Sequence, residues 1–209
     1  MRSERPQRSR EQVDPYRLFA YLFGPPAPNR FQRLERPELG NLLSVLWEEF
    51  GCEGEFAGLE GFRDYQQYEA LYIALFDVGV PEPPVPLQES AHVRSQPAQQ
   101  TALENTFFYE VLGLDVDPAR YPPDHLVTQL EFLAAVGYAR EQTPSPENRR
   151  NLARLERDFL KRHLLDWLPE AQKKLERERP PLFPLLLRLL VAFLRRRLEE
   201  LQRDESGAK

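Results

Sequence analysis

Apolar residues recur along most of this chain at spacings of three and four, the period of a helix that buries one face. Tyr16, Phe19, Ala20 and Phe23 form a first stripe, stopped by Gly24-Pro25-Pro26. Pro37 suits a first helical position, Leu39, Leu42, Leu43, Leu46, Trp47 and Phe50 follow, and Gly51 stands where a C-terminal cap belongs. Phe62, Tyr65, Tyr68, Tyr72, Leu75 and Phe76 make a third, aromatic-rich stripe. Nowhere does the pattern alternate with the period of two that marks a strand.

Pro81, Pro83, Pro84 and Pro86 then interrupt helical spacing, and an extended connection is expected over 77–90. Its stiffness makes domain swapping, and so a homodimer, a plausible arrangement. Beyond it, a fourth helix is expected through Leu103, Thr106, Phe107 and Leu112, ending at Gly113. A fifth is expected from near Pro122 to about Glu141. Ser145-Pro146-Glu147 reads as a cap, a first-turn proline and a first-turn acid, and Leu152, Leu155, Phe159, Leu160 and Leu164 line the helix that follows. Pro169 is expected to open a short helix with Ala171 and Leu175 inward, and Phe183 to Leu201 a long last one. The reading is all-α: a single compact helical domain of about seven to eight helices over 14–203, with a proline-rich linker after the third. Residues 1–13, rich in arginine, and residues 204–209 read as disordered tails.

Composition narrows the function. One cysteine among 209 residues excludes an intrachain disulfide and fits a reducing compartment. Cys52 reads either as a reactive thiol or as a plain helix-end residue. His92, His125 and His163 with that cysteine make no recognisable zinc motif, so no metal is expected. The net charge of −5 hides an asymmetry. Residues 31–146 carry 6 Lys+Arg against 19 Asp+Glu, and residues 147–203 carry 15 against 9. The acidic stretch either attracts an arginine-bearing peptide and repels nucleic acid, or is an ordinary solvated surface. No apolar segment follows the N-terminal arginines, so they are not a secretory signal. The apolar run from Pro181 to Leu194 holds Arg188 and falls short of the roughly 20 residues of a membrane span.

Four segments carry the candidate chemistry. In Tyr121-Pro122-Pro123-Asp124-His125-Leu126, two prolines precede an acid and an imidazole at a helix start. Asp124 there serves either the exposed N–H groups of the first turn or a ligand's arginine through a forked contact. An Asp-His pair is also the base half of a hydrolytic triad, although no Gly-x-Ser-x-Gly element supplies a nucleophile. Tyr72-x-x-Leu75-Phe76 is either a core stripe or the wall of an apolar groove. Pro86-Leu87-Gln88-Glu89-Ser90 closes the linker, with Ser90 placed to cap the next helix and Glu89 to meet a ligand. Finally, Phe159-Leu160-x-x-His163-Leu164-x-x-Trp167-x-Pro169 reads as structural, with His163 either a hydrogen-bonded core histidine or a ligand.

The Pro-Asp-His-Leu element, the aromatic-x-x-Leu-Phe segment before the linker, the Glu-Ser pair that ends it and the Phe-to-Trp-Pro stretch occur in the order found in the TorD/DmsD/NarJ-like family, which the chain resembles over about residues 15–200. The family often has an aromatic before Glu-Ser where this chain has Val85, Leu87 and Gln88. The resemblance implies a cytoplasmic, all-helical chaperone that is not an enzyme and carries no cofactor. Such a protein binds the apo catalytic subunit of a dimethyl sulfoxide reductase-superfamily molybdoenzyme and its twin-arginine leader. It thereby assists molybdenum cofactor insertion and prevents premature export. The residues implied for leader or client binding are Tyr72, Leu75, Phe76, Glu89, Ser90, Pro123, Asp124 and His125. Two alternatives stand beside it: a guanine-nucleotide-binding helical protein, though no Gly-x-x-x-x-Gly-Lys-Ser/Thr loop is present, and an Asp-His hydrolase.

Overall fold

The computed structural model describes residues 14–59, 61–117 and 120–207. The described residues contain no strand, only one isolated bridge, and the helices share one core. Helix α1 (Pro15–Leu22) starts at Asp14, whose carboxylate accepts from the Tyr16 N–H, and buries Phe19 and Leu22. Helix α2 (Pro28–Leu34) is a short element that apolar spacing did not reveal, since only Phe31 and Leu34 face inward. Helix α3 (Pro37–Glu49) ends as its sequence indicates. Gly51 is left-handed at φ 69°, and its N–H and that of Cys52 reach back to the Glu48 and Trp47 carbonyls. The third stripe is helix α4 (Tyr65–Tyr72) followed by a π turn, Ile73–Asp77.

The linker is packed rather than free. Val85 and Leu87 are buried, and the Val85 N–H donates to the Leu75 carbonyl at 3.0 Å. After a 3-10 turn at Glu89–Ala91 come α5 (Ala98–Glu110), α6 (Leu126–Gln142) and α7 (Pro146–Phe159), the last capped by the Ser145 hydroxyl as its sequence indicates. A π turn (Leu160–Leu164) then passes directly into α8 (Leu165–Glu178). Pro169 therefore lies inside α8 and does not open a helix, because the wider turn carries the chain on without a break. The last helix, α9 (Phe183–Gly207), runs past 204, where a tail was expected; the expected tail over 1–13 lies outside the described residues.

A larger correction concerns α5. Its buried face is Thr101, Asn105 and Tyr109, while Leu103 and Phe107, the apolar residues by which the helix was expected, are exposed. Apolar residues occur all round this helix, so periodicity could not choose a face; polar partners in the core did. Helix α6 is the centre of the fold, with α1 along one side and α7 along another. Glu156 of α7, itself buried, ties the bundle together. It accepts from Tyr16 of α1 at 2.9 Å, Arg140 of α6 at 3.0 Å and Arg197 of α9 at 2.7 and 2.9 Å.

Candidate functional site

The end of the linker pairs with the start of α6. The Leu126 N–H donates to the Leu87 carbonyl at 2.8 Å, the Glu89 N–H to the Asp124 carbonyl at 3.0 Å, and Gln88 bridges His125 in antiparallel fashion. The Asp124 carboxylate accepts the Ser90 N–H at 3.0 Å, and Asp124 is buried. His125 is the N-cap of α6, its Nδ1 accepting the Val127 N–H at 3.2 Å. The Tyr121 ring stacks on the imidazole with centroids 4.3 Å apart. Burial lowers the His125 pKa to about 4, so near neutral pH the ring is uncharged and its proton sits on Nε2. Asp124 and His125 thus each serve a backbone N–H, an arrangement that holds a joint rather than a base for hydrolysis.

Behind the joint, the Glu89 carboxylate is buried at the meeting point of four elements. It accepts from Asn105 of α5 at 2.9 Å and from Gln129 of α6 at 2.6 Å, and His163 Nδ1 of the second π turn lies 3.0 Å away. Gln129 in turn accepts the Trp167 indole N–H of α8 at 3.3 Å. His163 is therefore a core histidine on a carboxylate, one of the two readings its segment allowed. Neither Asn105 nor Gln129 was singled out in the sequence, since an isolated amide inside an apolar helix looks like any polar position.

Ser90 and Pro123 are half-buried at the edge of the joint. Ser90 lies within the 3-10 turn and engages through its backbone, and α5 begins later, after Pro97, so Ser90 caps no following helix. Tyr72, Leu75 and Phe76 form no open groove. All three are buried, Tyr72 donates to the Phe23 carbonyl at 2.8 Å, and the Phe76 and Phe183 rings meet edge-on at 4.9 Å. Long aromatic side chains on a short amphipathic stretch found partners in α9, which sequence spacing could not reveal.

An open cleft lies against the joint instead. A cleft of about 330 Å³ is formed by the loop after α5 and the outer side of α6. Tyr109, Leu114, Val116, Phe132 and Ala135 give apolar walls, and Asp115, Asp117, Glu131 and Arg120 line it as well. The cleft is coupled to the joint through Tyr121, stacked on His125, and through Tyr109, whose hydroxyl donates to the Pro123 carbonyl. Burial first, then the Glu89 and Asp124 carboxylates, raise the Tyr109 pKa well above the ordinary tyrosine range, so it remains a donor. Gly113, left-handed at φ 66°, turns the chain at the end of α5, and the Leu114 N–H reaches back to the Tyr109 carbonyl at 3.1 Å. That turn sets Leu114 over Tyr109 as a wall of the cleft. No cluster of potential metal ligands occurs among the described residues.

The segment holding linker, cleft and joint is also the segment with relatives. The family model described as nitrate reductase delta subunit matches residues 53–172. The chain belongs to this family. Among curated proteins, it is 31% identical over 143 residues to the perchlorate reductase assembly chaperone protein of Dechloromonas aromatica strain RCB, covering 66% of this chain and 62% of that protein. It is 37% identical over 122 residues to the selenate reductase assembly chaperone protein of Thauera selenatis, covering 54% of this chain and 59% of that one. The chain thus spans less than two thirds of the length of these relatives. A solved structure of a redox enzyme maturation protein from Archaeoglobus fulgidus is similar over 90% of this chain and 91% of its own, at 21% identity and a TM-score of 0.48. Within the nitrate reductase delta subunit family match fall the joint, the cleft and His163; α1 to α3 and α9 lie outside it.

Proposed function

We propose that this chain is an assembly chaperone for the catalytic subunit of a reductase of the dimethyl sulfoxide reductase superfamily. It works in the cytoplasm, binds the apo subunit and its twin-arginine leader, assists insertion of the molybdenum cofactor and delays export. No covalent step is involved. The match to proteins named as reductase assembly chaperones carries this reading. No helix among the described residues is long and apolar enough to cross a membrane, which agrees with it.

The cleft supplies the physical means. Leader arginines meet Asp115 and Asp117, beside the Glu131 carboxylate that already holds Arg120 at 2.9 Å, with apolar walls for the neighbouring residues. The eight residues implied by the family resemblance act as its frame. Glu89, Ser90, Pro123, Asp124 and His125 form the joint that fixes Tyr109 and Tyr121, and Tyr72, Leu75 and Phe76 seat the linker through the Leu75–Val85 bond and the α9 contact. A homodimer by exchange about the linker requires release of Val85, Leu87 and the joint's backbone bonds, so it forms slowly and under mildly unfolding conditions.

The test is calorimetric titration with the twin-arginine leader of the reductase encoded beside this chain, against the same peptide carrying Lys-Lys. Saturable binding to the native leader, weakened in the Lys-Lys peptide, supports the reading. Asp115→Asn with Asp117→Asn should reduce affinity by about three- to tenfold, the worth of two partly exposed charge contacts. Absence of heat with either peptide would remove leader recognition from the proposal.

A further inference from the structure

The outward face of α5 is unusual. Leu103, Phe107 and Val111 follow one another at four-residue spacing and are 47%, 55% and 66% exposed. Together they make an apolar stripe on the side of the helix opposite Thr101, Asn105 and Tyr109. Over about 8 residues of helical rise it is roughly 12 Å long. Single exposed apolar residues are ordinary; a row of three on one helix face marks an interaction surface.

The surrounding charge says what fits. Residues 98–117 contain no Lys or Arg, and Glu104 and Glu110 stand on opposite edges of the stripe. Hydrogen bonds from Gln100 and Gln96 hold the Glu104 pKa below the usual range, so that edge remains negative. A second copy docked face to face would set acidic edges against acidic edges. Residues 1–13 of this chain carry arginines but only Met1 and Val13 as larger aliphatic groups, too few to cover the stripe.

We infer that the outward face of α5 is a docking surface for an amphipathic helix of a partner protein, with an apolar face for the Leu103–Val111 stripe and basic residues on its edges. The recognition is that of a helix laid against a complementary helix face. It is a second contact, separate from leader capture in the cleft, and does not require that reading.

The experiment uses the full chain and fluorescein-labelled 18-residue model helices, one patterned Leu/Lys and one Leu/Glu, followed by fluorescence anisotropy. The Leu/Lys helix should bind at least tenfold tighter than the Leu/Glu helix. Leu103→Ser with Phe107→Ser should lose at least tenfold, with an unchanged thermal melt because both positions face solvent. As an independent variant, Phe107→Lys should narrow the preference for the basic helix at least fivefold. Equal binding of the two helices, or undiminished binding to the double variant, would overturn the inference. So would a concentration-dependent dimer in sedimentation that disappears in the double variant, since the face would then belong to a second copy. Binding that rises tenfold on removal of residues 1–13 would assign the face to the chain's own N-terminus. Displacement of the Leu/Lys helix by the twin-arginine leader would make the stripe part of the leader site and end the claim of a second contact.

Discussion

His125 shows how one buried side chain sets a pH dependence. Its Nδ1 holds the Val127 N–H and its ring lies under Tyr121, so protonation would break a cap and put a charge in a dry place. Burial lowers its pKa from 6.5 to about 4. In the unfolded chain the imidazole takes up a proton near pH 6.5, whereas the folded chain resists until about pH 4. The folded state is therefore favoured fully above pH 6.5, loses stability as pH falls toward 4, and loses no more from this group below that. The loss is on the order of 3 kcal/mol. His92, also lowered chiefly by burial, adds to it in the same direction. His125→Asn keeps a capping oxygen and removes the titration, so urea melts at pH 7 and pH 4.5 should differ by about 2–3 kcal/mol less than in the parent chain. An unchanged difference would show that His125 is not the buried neutral group responsible.

Two elements depend on a single position each. The C-terminus of α5 turns at Gly113, whose φ of 66° suits glycine, and nothing lies within 4 Å of where a Cβ would stand. Gly113→Ala should therefore cost only the left-handed conformation, about 1 kcal/mol in a denaturant melt. A larger loss would mean that the turn itself is rearranged. Helix α7 is joined to α1, α6 and α9 through Glu156. Glu156→Ala leaves Arg140 and Arg197 without their shared carboxylate and removes the acceptor of the Tyr16 hydroxyl. The expected loss is about 3 kcal/mol or more, and a melt within 1 kcal/mol of the parent would show that water replaces the carboxylate at little cost.

At the scale of the molecule, charge is divided between a strongly acidic stretch, 31–146, and a basic one, 147–203, and the proposed cleft and the α5 stripe both fall in the acidic part. Exposed attraction is screened over about 8–10 Å near physiological salt. The association rate of an arginine-bearing leader, measured by stopped flow, should thus fall several-fold between 50 and 300 mM salt while dissociation changes little. A salt-independent association rate would leave the asymmetry without a role in capture.

Local sequence signals determined the all-α class, both ends of α3, the start of α7 and the place of the linker, because these follow from spacing, proline and glycine within a few residues. The motif residues Glu89, Asp124, His125 and His163 were legible as candidates, and the structure brings the first three into one joint with His163 behind it on the Glu89 carboxylate. Only tertiary structure decided which face of α5 is buried, since Asn105 gains partners in Glu89 and Gln129 and Tyr109 one in Pro123, all outside the helix. The same holds for Tyr72 and Phe76, buried against α9, and for the cleft, whose walls come from residues separated by the α5–α6 loop. Local spacing reports the free energy of turns and amphipathic faces. The choice among faces of similar polarity is made by long-range hydrogen bonds and packing, which a linear sequence does not display.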